Sequence, residues 1–353
     1  MSSVDALAAA AGVDRAVAIA AVPPRNAPPR VMIVGTGERA ARLARVLARS
    51  GKTIVGAIDD VPQPALARCV PPVPWLGGLD RLIPEAIDRH VEELFIAIPL
   101  RSGFDAWARA GAVARELGIP ATFEFDLIDG GRTRLAPGQH DAAAILYNRH
   151  PSRGGVERVV KRLIDVVVSF TALVLLAPLL LLTALAIAAT SRGPILFCQQ
   201  RVGLSRRRFR MLKFRTMQPD AVERPPDLPT LDPHGVMFKV AHDPRVTPLG
   251  NWLRRSSLDE LPQLLNVLKG EMSLVGPRPM PLWVYSAARM SEFHRRSSVL
   301  PGLTGLWQVN GRAQDLEQMT RDDLEYVDRW SLMLDLTVLV RTPWAVLRGT
   351  GAR

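Results

Sequence analysis

The chain has 353 residues, with 45 lysines and arginines against 34 aspartates and glutamates, and a formal net charge of +11. Its length favours two domains, and its two distant cysteines, Cys69 and Cys198, exclude a disulfide framework, a zinc site and a C-x-x-C redox pair. The positive charge suits nucleic acid, acidic lipid or phosphate-bearing substrates and does not choose among them.

Residues 1–29 are rich in alanine and proline and hold little that a core would bury, so we expect a flexible lead without chemistry. The lead has no basic n-region and carries Asp5, so we do not expect a secretory signal. From Val31 the sequence alternates β-rich runs such as VMIVG, TIVGAI and LFIAI with helical stretches. This alternation predicts a Rossmann-like domain over residues 30–148, with a parallel sheet and helices on both faces.

The segment GTGERA, residues 35–40, follows the first strand and opens a helix, and Asp59 ends the next strand. It nearly meets the G-x-G-x-x-A dinucleotide fingerprint, which makes Gly35, Gly37 and Asp59 candidate nucleotide-binding residues. The alternative is that the glycines serve only the tight strand–helix junction. No catalytic constellation accompanies them, so a ligand here would act in regulation or assembly.

Residues 149–162 form a predicted linker and basic flank, and residues 163–191 a predicted membrane segment. No charged residue occurs from Val166 to Ser191. As a straight helix this run would reach about 39 Å, against a hydrocarbon core of roughly 30 Å. Both flanks are basic, however, and positive charge marks the cytoplasmic side. A helix broken at Pro178 would enter and return, so we favour a re-entrant hairpin over a straight span.

Several cations among residues 192–353 are suited to bind phosphate oxygens. Lys213 and Arg215 alternate along the chain, which predicts a strand that presents both on one face. Arg254 precedes an acidic pair, and Arg278 stands between two prolines that restrict its backbone.

The acidic pair lies in SSLDELPQL, residues 256–264, and has two interpretations. In the structural one, Ser257 and Glu260 form a capping box for a helix of leucines. In the functional one, Asp259 at a helix N-terminus stays ionised and attacks a phosphorus atom. Such an attack is opposed by Coulomb repulsion, so it needs Mg²⁺ and arginines around the oxygens.

Residues from about 161 to 350 resemble the bacterial sugar transferases, the monotopic polyprenyl-phosphate glycosyl-1-phosphate transferases. The stretches that carry the resemblance include KRLIDVVVS, SRGPILFCQQRVG, KFRTM, DPRVTPLGNWLRRSSLDELPQLLNVLKGEMSLVGPRP, PGLTGLWQVNGR and WSLMLDLTVLVRT. The order and length of these stretches favour the functional interpretation. Arg206 departs from the pattern, because a glycine often stands at that position, and this puts the loop geometry in doubt.

The resemblance implies transfer of a sugar-1-phosphate from a UDP-sugar to undecaprenyl phosphate, with release of UMP, through an aspartyl-phosphosugar intermediate and Mg²⁺. It puts the nucleophile at Asp259, its partner carboxylate at Glu260 and the metal at both, with phosphate-binding arginines at Arg254 and Arg278. Further candidate substrate-binding residues are Gln308, Asn310, Arg312 and Asp323.

The resemblance also implies an α+β, membrane-associated catalytic domain over residues 192–353, on the cytoplasmic face of the bacterial inner membrane. The reaction would be the first membrane step of exopolysaccharide, capsule or O-antigen assembly. Expected partners are the two substrates and membrane lipids, with a homo-oligomer as a further candidate and no nucleic acid. Larger members of the family begin with transmembrane helices that are missing from this sequence. The chain is therefore either a natural short form or a truncated one, and both alternatives stay open.

Two rival functions use other features. A membrane-anchored nucleotide-sugar oxidoreductase would depend on Gly35, Gly37 and Asp59. A non-enzymatic assembly or nucleic-acid-binding protein explains the charge, but not the order of carboxylates, arginines and prolines. The sequence does not name the sugar or a ligand of the N-terminal domain.

Overall fold

The computed structural model describes residues 22–98, 103–125, 144–148, 155–218, 221, 243–287, 291–311 and 316–348. The chain divides into two compact units. The first unit comprises Asn26–Ser152 and Met290–Arg295, and the second Met1–Arg25, Arg153–Arg289 and Arg296–Arg353. The domain boundaries given by the sequence stay predictions.

A five-stranded sheet forms the centre of the first unit. Its elements up to residue 148 are β1 (Arg30–Val34), α1 (Glu38–Arg49), β2 (Thr53–Ile58), α2 (Leu82–Asp88), β3 (Glu93–Ile96), α3 (Phe104–Leu117), β4 (Ala121–Phe125) and β5 (Ala144–Asn148). The strand order is β2-β1-β3-β4-β5, in which the first four strands run parallel. The expected parallel sheet is therefore confirmed, except that β5 pairs antiparallel with β4.

Apolar side chains cover both faces of this sheet. Along β1, Met32 and Val34 enter one apolar cluster and Val31 and Ile33 the other, and all four are 0% exposed. A strand that is buried on both faces has a continuous apolar run, because alternate side chains point to opposite faces. VMIVG is such a run, which is why the strand was predictable.

The second unit is a mixed α/β assembly with two small sheets. The remaining elements of the chain are α4 (Gly155–Leu175), α5 (Ala177–Thr190), β6 (Leu196–Val202), β7 (Arg208–Phe214), α6 (Pro248–Arg255), α7 (Gln263–Leu268), β8 (Ser273–Val275), α8 (Leu282–Ala287), α9 (Ser291–Arg295, in the first unit), β9 (Gly302–Thr304), α10 (Leu306–Val309), α11 (Leu316–Arg329) and α12 (Leu332–Arg348). Strands β6 and β7 form an antiparallel hairpin, and β8 and β9 pair in parallel.

The turn of the β6–β7 hairpin contains Arg206, the position at which the resemblance led us to expect a glycine. Its φ is 63°, in the left-handed region that favours glycine, and its side chain is buried. This conformation costs an L-residue roughly 1–2 kcal/mol. The turn therefore has a glycine-like backbone at an arginine.

Helices α4 and α5 form a bent apolar pair. Among the described residues no single helix has the length and apolar character of a membrane span. The two helices together are long and apolar enough, and they meet at a bend of 62°. The break falls at Leu176, two residues before Pro178. Pro178 cannot donate a hydrogen bond to the carbonyl of Val174, and its ring crowds the same turn, which explains a bend here.

A buried polar network holds the base of α4. Lys161 Nζ donates to Asp335 Oδ2 on α12 at 2.6 Å and to the carbonyl oxygen of Val275 at 3.1 Å. The hydroxyl of Tyr326 and the indole N–H of Trp330 donate to the same carboxylate, at 2.8 and 3.2 Å. The network thus joins α4 to β8, α11 and α12.

The basic flank before the apolar run is less exposed than the sequence suggested. Lys161 points inward, and Arg162 donates to the carbonyls of Val267 and Leu268 at 2.6 and 2.7 Å. These carbonyls end α7, where positive charge is favoured. Arg158 remains exposed. Sequence alone does not separate a cation that faces lipid from one that caps a helix.

Residues 22–25, at the end of the predicted flexible lead, form specific contacts. Val22 is 0% exposed, and Pro24 forms a parallel bridge with Arg208. Arg25 donates to the carbonyls of Lys269 and Gly270 at 3.4 and 3.2 Å, beyond the end of α7. Residues 1–21 lie outside the described residues.

Candidate active site

The region between β7 and α7 is assembled around a close backbone contact. Helix α6 begins after Thr247, whose Oγ1 accepts a hydrogen bond from Gly250 N at 2.9 Å. A Cβ atom on Gly250 would fall 2.0 Å from the carbonyl oxygen of Thr216, so the position requires glycine. Arg254, at the end of α6, then donates through Nε to Thr216 Oγ1 at 2.9 Å. These contacts fix Arg254 beside the end of β7, the strand that carries Lys213.

The predicted capping box does not form. Ser257 lies in the left-handed region with φ 56°, and its side chain makes no capping hydrogen bond. Asp259 and Glu260 lie in the short 3₁₀ turn Leu258–Glu260, ahead of α7. Because Glu260 is bound elsewhere, the structural interpretation of the acidic pair is wrong at this site.

Two cations hold Glu260. Its Oε1 accepts from Lys213 Nζ at 2.7 Å and from Arg278 Nη2 at 3.1 Å. Burial alone would raise the pKa of Glu260, but Lys213 and Arg278 outweigh it and hold that pKa far below its usual range. Glu260 is therefore a fixed negative charge at any physiological pH.

Asp259 has a different environment from its neighbour. Burial raises the pKa of Asp259; Lys213 opposes this, and the charge of Glu260 raises the pKa further. Within the part of the chain that the structure describes, its carboxylate forms no hydrogen bond or salt bridge, although it is only 8% exposed. Both oxygens are thus available to a ligand, and the raised pKa makes the ionised group more basic.

Arg278 combines a charge contact with an aromatic one. Its guanidinium carbon lies 5.7 Å from the centre of the Trp307 ring, within the range of a cation–π contact. Guanidinium has five N–H donors, and among the described residues only the contact with Glu260 uses one of them. Donors therefore remain for an anionic ligand.

Lys213 and Arg215 do not share one site as expected. Burial lowers the pKa of Lys213, and Glu260 opposes the change. Strand β7 ends at Phe214, and Arg215 instead donates to the carbonyl and hydroxyl oxygens of Ser191, at 2.8 and 2.7 Å. The free carbonyl that follows α5 explains this partner, because helix C-termini attract cations.

The other described candidates for substrate binding have partners within the protein. Asn310 Oδ1 accepts from Arg341 at 3.2 Å, and Asp323, 0% exposed, is bound to Arg296. Gln308 donates weakly to the carbonyl of Leu303, at 3.4 Å. Arg312 lies outside the described residues.

Sequence reasoning missed Arg201 and Trp307. Burial and the charge of Arg278, against the opposing charge of Glu260, together lower the pKa of Arg201 to about 9, so Arg201 lies within electrostatic range of Glu260. Its Nη1 donates to the carbonyl of Pro279 at 3.2 Å, across 78 positions of sequence. No local pattern predicts a contact over that distance.

The residues present fit Mg²⁺ only as part of its coordination shell. Among the described residues no group of three or more His, Cys, Asp or Glu side chains is arranged to hold a metal. Asp259 and Glu260 offer two carboxylates, and Mg²⁺ commonly takes one or two carboxylates together with substrate phosphates and water. The donor set therefore suits an ion that the substrate helps to bind.

The glycine turn of the first unit is closed by its own side chains. Asp59 Oδ2 accepts from Thr36 N and Oγ1, both at 2.8 Å. A Cβ atom on Gly37 would lie 3.1 Å from the amide oxygen of Gln63, which therefore covers the start of α1. Gly35 has φ 118° and forms the tight strand–helix junction. In this arrangement the turn serves the fold.

The site in the second unit contains Asp259, which is buried and forms no ion pair with any described residue, together with the ion-paired Glu260, a lysine and arginines. This set is suited to chemistry on phosphate esters. Residues 156–349 match the family model described as Bacterial sugar transferase. The chain therefore belongs to the bacterial sugar transferase family.

Related proteins match over different shares of their length. An undecaprenyl-phosphate glucose phosphotransferase of Komagataeibacter xylinus is 35% identical over 89% of this chain and 58% of its own length. A UDP-glucose:undecaprenyl-phosphate glucose-1-phosphate transferase of Xanthomonas campestris pv. campestris is 34% identical over 90% and 66%. The exopolysaccharide production protein ExoY of Sinorhizobium fredii is 41% identical over 56% of this chain and 89% of its own length. The chain thus spans less than two thirds of the first two relatives.

Proposed function

We propose that this protein transfers a sugar-1-phosphate from a UDP-sugar to undecaprenyl phosphate and releases UMP, as a step of exopolysaccharide assembly. One observation carries the proposal: Asp259 is buried beside Lys213, Arg254 and Arg278 without a hydrogen bond or salt bridge of its own among the described residues. The names of two relatives make UDP-glucose the first substrate to test.

In the first step an oxygen of Asp259 attacks the phosphorus that carries the sugar. The new O–P bond forms as the bond to the bridging oxygen of the diphosphate breaks, and the electron pair leaves with UMP. The product is an aspartyl-phosphosugar. The raised pKa of Asp259 favours attack, since a more basic carboxylate is a better nucleophile.

In the second step a phosphate oxygen of undecaprenyl phosphate attacks the same phosphorus. The Asp259–phosphorus bond breaks, the carboxylate is restored, and the sugar is left on a lipid diphosphate. Two successive displacements balance without a proton donor, because UMP and the carboxylate both leave as anions.

Cations around the acidic pair offset the repulsion between a carboxylate and a phosphate. Arg254 and Arg278 would bind the diphosphate oxygens, and Lys213 keeps Glu260 in place. Asp259 and Glu260 would hold Mg²⁺, which would supply further neutralisation of phosphate charge. The guanidinium of Arg278 is suited to charge that builds on the oxygens as UMP departs.

We further propose that α4 and α5 form a re-entrant hairpin in the cytoplasmic leaflet of the membrane. Apolar side chains along the pair stay exposed to water, with Phe170, Leu181 and Leu182 at 61–64%. On α12, Met333 and Val340 are exposed by 71 and 72%. Lipid would remove these surfaces from water and bring the acceptor's phosphate to the protein.

The alternative oxidoreductase has no support in the comparisons. The contacts of Asp59 with Thr36 and the cover of Gly37 by Gln63 also leave the fingerprint turn engaged with its own residues.

Asp259→Asn tests the proposed function. Purified protein in detergent is incubated with UDP-glucose, UDP-galactose or UDP-N-acetylglucosamine and undecaprenyl phosphate, and UMP is measured. We expect transfer with one sugar and a loss of at least about a thousandfold in the variant, because an amide is not a nucleophile. Asp105→Asn, an exposed carboxylate of the first unit, is the matched control and should leave turnover unchanged.

Without the lipid acceptor, wild type should release about one UMP per chain and gain the mass of one sugar phosphate, and Asp259→Asn should do neither. Turnover in Asp259→Asn above a thousandth of wild type would refute the role of this residue. UMP release that occurs only with lipid present would instead indicate direct transfer.

A further inference from the structure

The three residues Pro277, Arg278 and Pro279, here termed the proline turn, belong to no helix or strand. The two prolines have no N–H, so the turn is held through its carbonyl groups. The carbonyl of Pro277 accepts from Gly302 N at 2.8 Å, and the carbonyl of Met280, just past the turn, accepts from Val202 N at 3.0 Å. Both outer contacts are ordinary backbone hydrogen bonds.

The two inner carbonyls are held by arginine side chains. Arg296 Nη2 donates to the carbonyl of Arg278 at 2.9 Å, and Arg201 Nη1 donates to the carbonyl of Pro279 at 3.2 Å. Arg296 is only 4% exposed and is bound in turn to Asp323, which is 0% exposed. Every carbonyl from 277 to 280 therefore has a donor.

Arginine is a costly donor for these positions. Burial disfavours the charge on Arg201, and the nearby Arg278 repels it. Arg201 forms no salt bridge within the described residues, and its Nη2 donates to the carboxamide oxygen of Gln199 at 2.6 Å. A neutral donor would bind a carbonyl at less electrostatic cost, so the charges at this turn serve more than the fold.

We propose that Arg201 and Arg296 are positioning residues for Arg278, because they hold the carbonyls of Pro279 and Arg278. The guanidinium of Arg278 then stays between Glu260 and Trp307, aimed at the diphosphate of the UDP-sugar. Asp323 orients Arg296 for this role. The inference rests on the proposed function, because it assumes that Arg278 binds the diphosphate.

A double-mutant cycle tests the inference with the full chain. Arg201→Gln, Arg278→Gln and the double variant are compared with wild type for kcat and KM toward UDP-glucose, or the UDP-sugar that the panel selects. If Arg201 acts through Arg278, Arg201→Gln lowers kcat at least tenfold in the wild-type background and less than twofold when Arg278 is already glutamine. If Arg201→Gln lowers kcat by the same factor in both backgrounds, the inference is overturned.

The same cycle is repeated for binding in an Asp259→Asn background, with the affinity for the UDP-sugar measured by calorimetry. This second readout decides the matter if the double variant turns over too slowly. Arg201→Lys should recover part of the loss, because lysine also donates to the Pro279 carbonyl. No recovery together with additive losses in affinity would also count against the inference.

Arg162→Gln is the matched control. Arg162 likewise donates to two carbonyls, those of Val267 and Leu268, but at the far end of α7 from the acidic pair. We expect Arg162→Gln to lower the melting temperature, and we expect any effect that it has on kcat or affinity to add to that of Arg278→Gln. If Arg278→Gln itself keeps wild-type kcat and affinity, the proposed role of Arg278 fails, which is a different outcome from additivity.

Discussion

At the scale of single residues, two neighbouring carboxylates have opposite environments. Lys213 and Arg278 hold the pKa of Glu260 far below its usual range, whereas burial raises the pKa of Asp259. Lys213, Arg254 and Arg278 all lie within electrostatic range of Asp259. The sequence named these five residues, because each has a chemistry that phosphate transfer needs.

Pairing was not visible, since the bond from Lys213 to Glu260 spans 47 positions. Arg201 and Trp307 were missed for the same reason. Arg215 was assigned to the site because alternation in a strand was extended one residue past the end of β7.

Asp323 gives a pH prediction at this scale. Burial raises the pKa of Asp323 to about 6, and Arg296 opposes the change. An aspartate in the unfolded chain has a pKa of roughly 4, so the folded state holds the proton more tightly. The stability that Asp323 contributes is therefore full below about pH 4 and is lost as the pH rises through 6. Asp323→Asn should remove this dependence.

Thermal melts of wild type and Asp323→Asn from pH 4 to 8 measure the effect. The melting temperature of wild type minus that of the variant should fall as the pH rises from 4 to 7, and then level off. Asp105→Asn, with an exposed carboxylate, should show no such trend. A difference that grows with pH would mean that the pKa of Asp323 is lowered in the folded protein.

At the scale of elements, composition predicted the broken helix and charge gave weaker support for its topology. The apolar run and Pro178 were enough to expect a bend, because proline acts on the turn before it whatever the tertiary context. The basic flanks were taken as cations at the membrane surface. Lys161 and Arg162 instead bind Asp335 and the end of α7, so the re-entrant hairpin now depends on the bend and on the exposed apolar side chains.

Cysteine labelling tests the hairpin. With Cys69 and Cys198 replaced by serine, Val156→Cys and Arg192→Cys place single thiols at exposed positions on either side of the pair. In sealed inner-membrane vesicles of one orientation, an impermeant maleimide should label both positions or neither. Labelling of only one position would indicate a span. Labelling after detergent treatment shows that each thiol is reactive, and unchanged UMP release shows that each variant is folded.

At the scale of the whole molecule, the sheet of the first unit was predictable because its buried strands are continuous apolar runs. The last strand was not predicted, and it is antiparallel. The glycine fingerprint was ambiguous from sequence, since a tight strand–helix junction needs the same residues. Contacts of Thr36 and Gln63 with this turn are long-range, so only the structure reveals that it is closed.

Catalysis and stability should separate in a chain that lacks residues 1–152, which are most of the first unit and the first 25 residues of the second. The Sinorhizobium fredii relative is matched over 89% of its length by 56% of this chain. A chain of residues 153–353 retains all the residues of the acidic pair and its cations, so we expect its kcat to stay within about threefold of the full chain. It loses Val22, which is fully buried, and the contacts of Arg25 beyond the end of α7, so its melting temperature should fall.

Arg25→Gln in the full chain measures part of that fall. Hydrogen bonds of a half-exposed arginine to two carbonyls contribute about 1 kcal/mol, which corresponds to roughly 2–4 °C in a domain of this size. The variant should leave kcat unchanged, because Arg25 binds the end of α7 that lies away from Asp259. If the shorter chain folds, as judged by a cooperative melt, and yet turns over more than tenfold more slowly while Arg25→Gln keeps wild-type kcat, catalysis depends on residues 26–152 of the first unit. In that case the closed glycine turn and its Gln63 cover become the first positions to mutate.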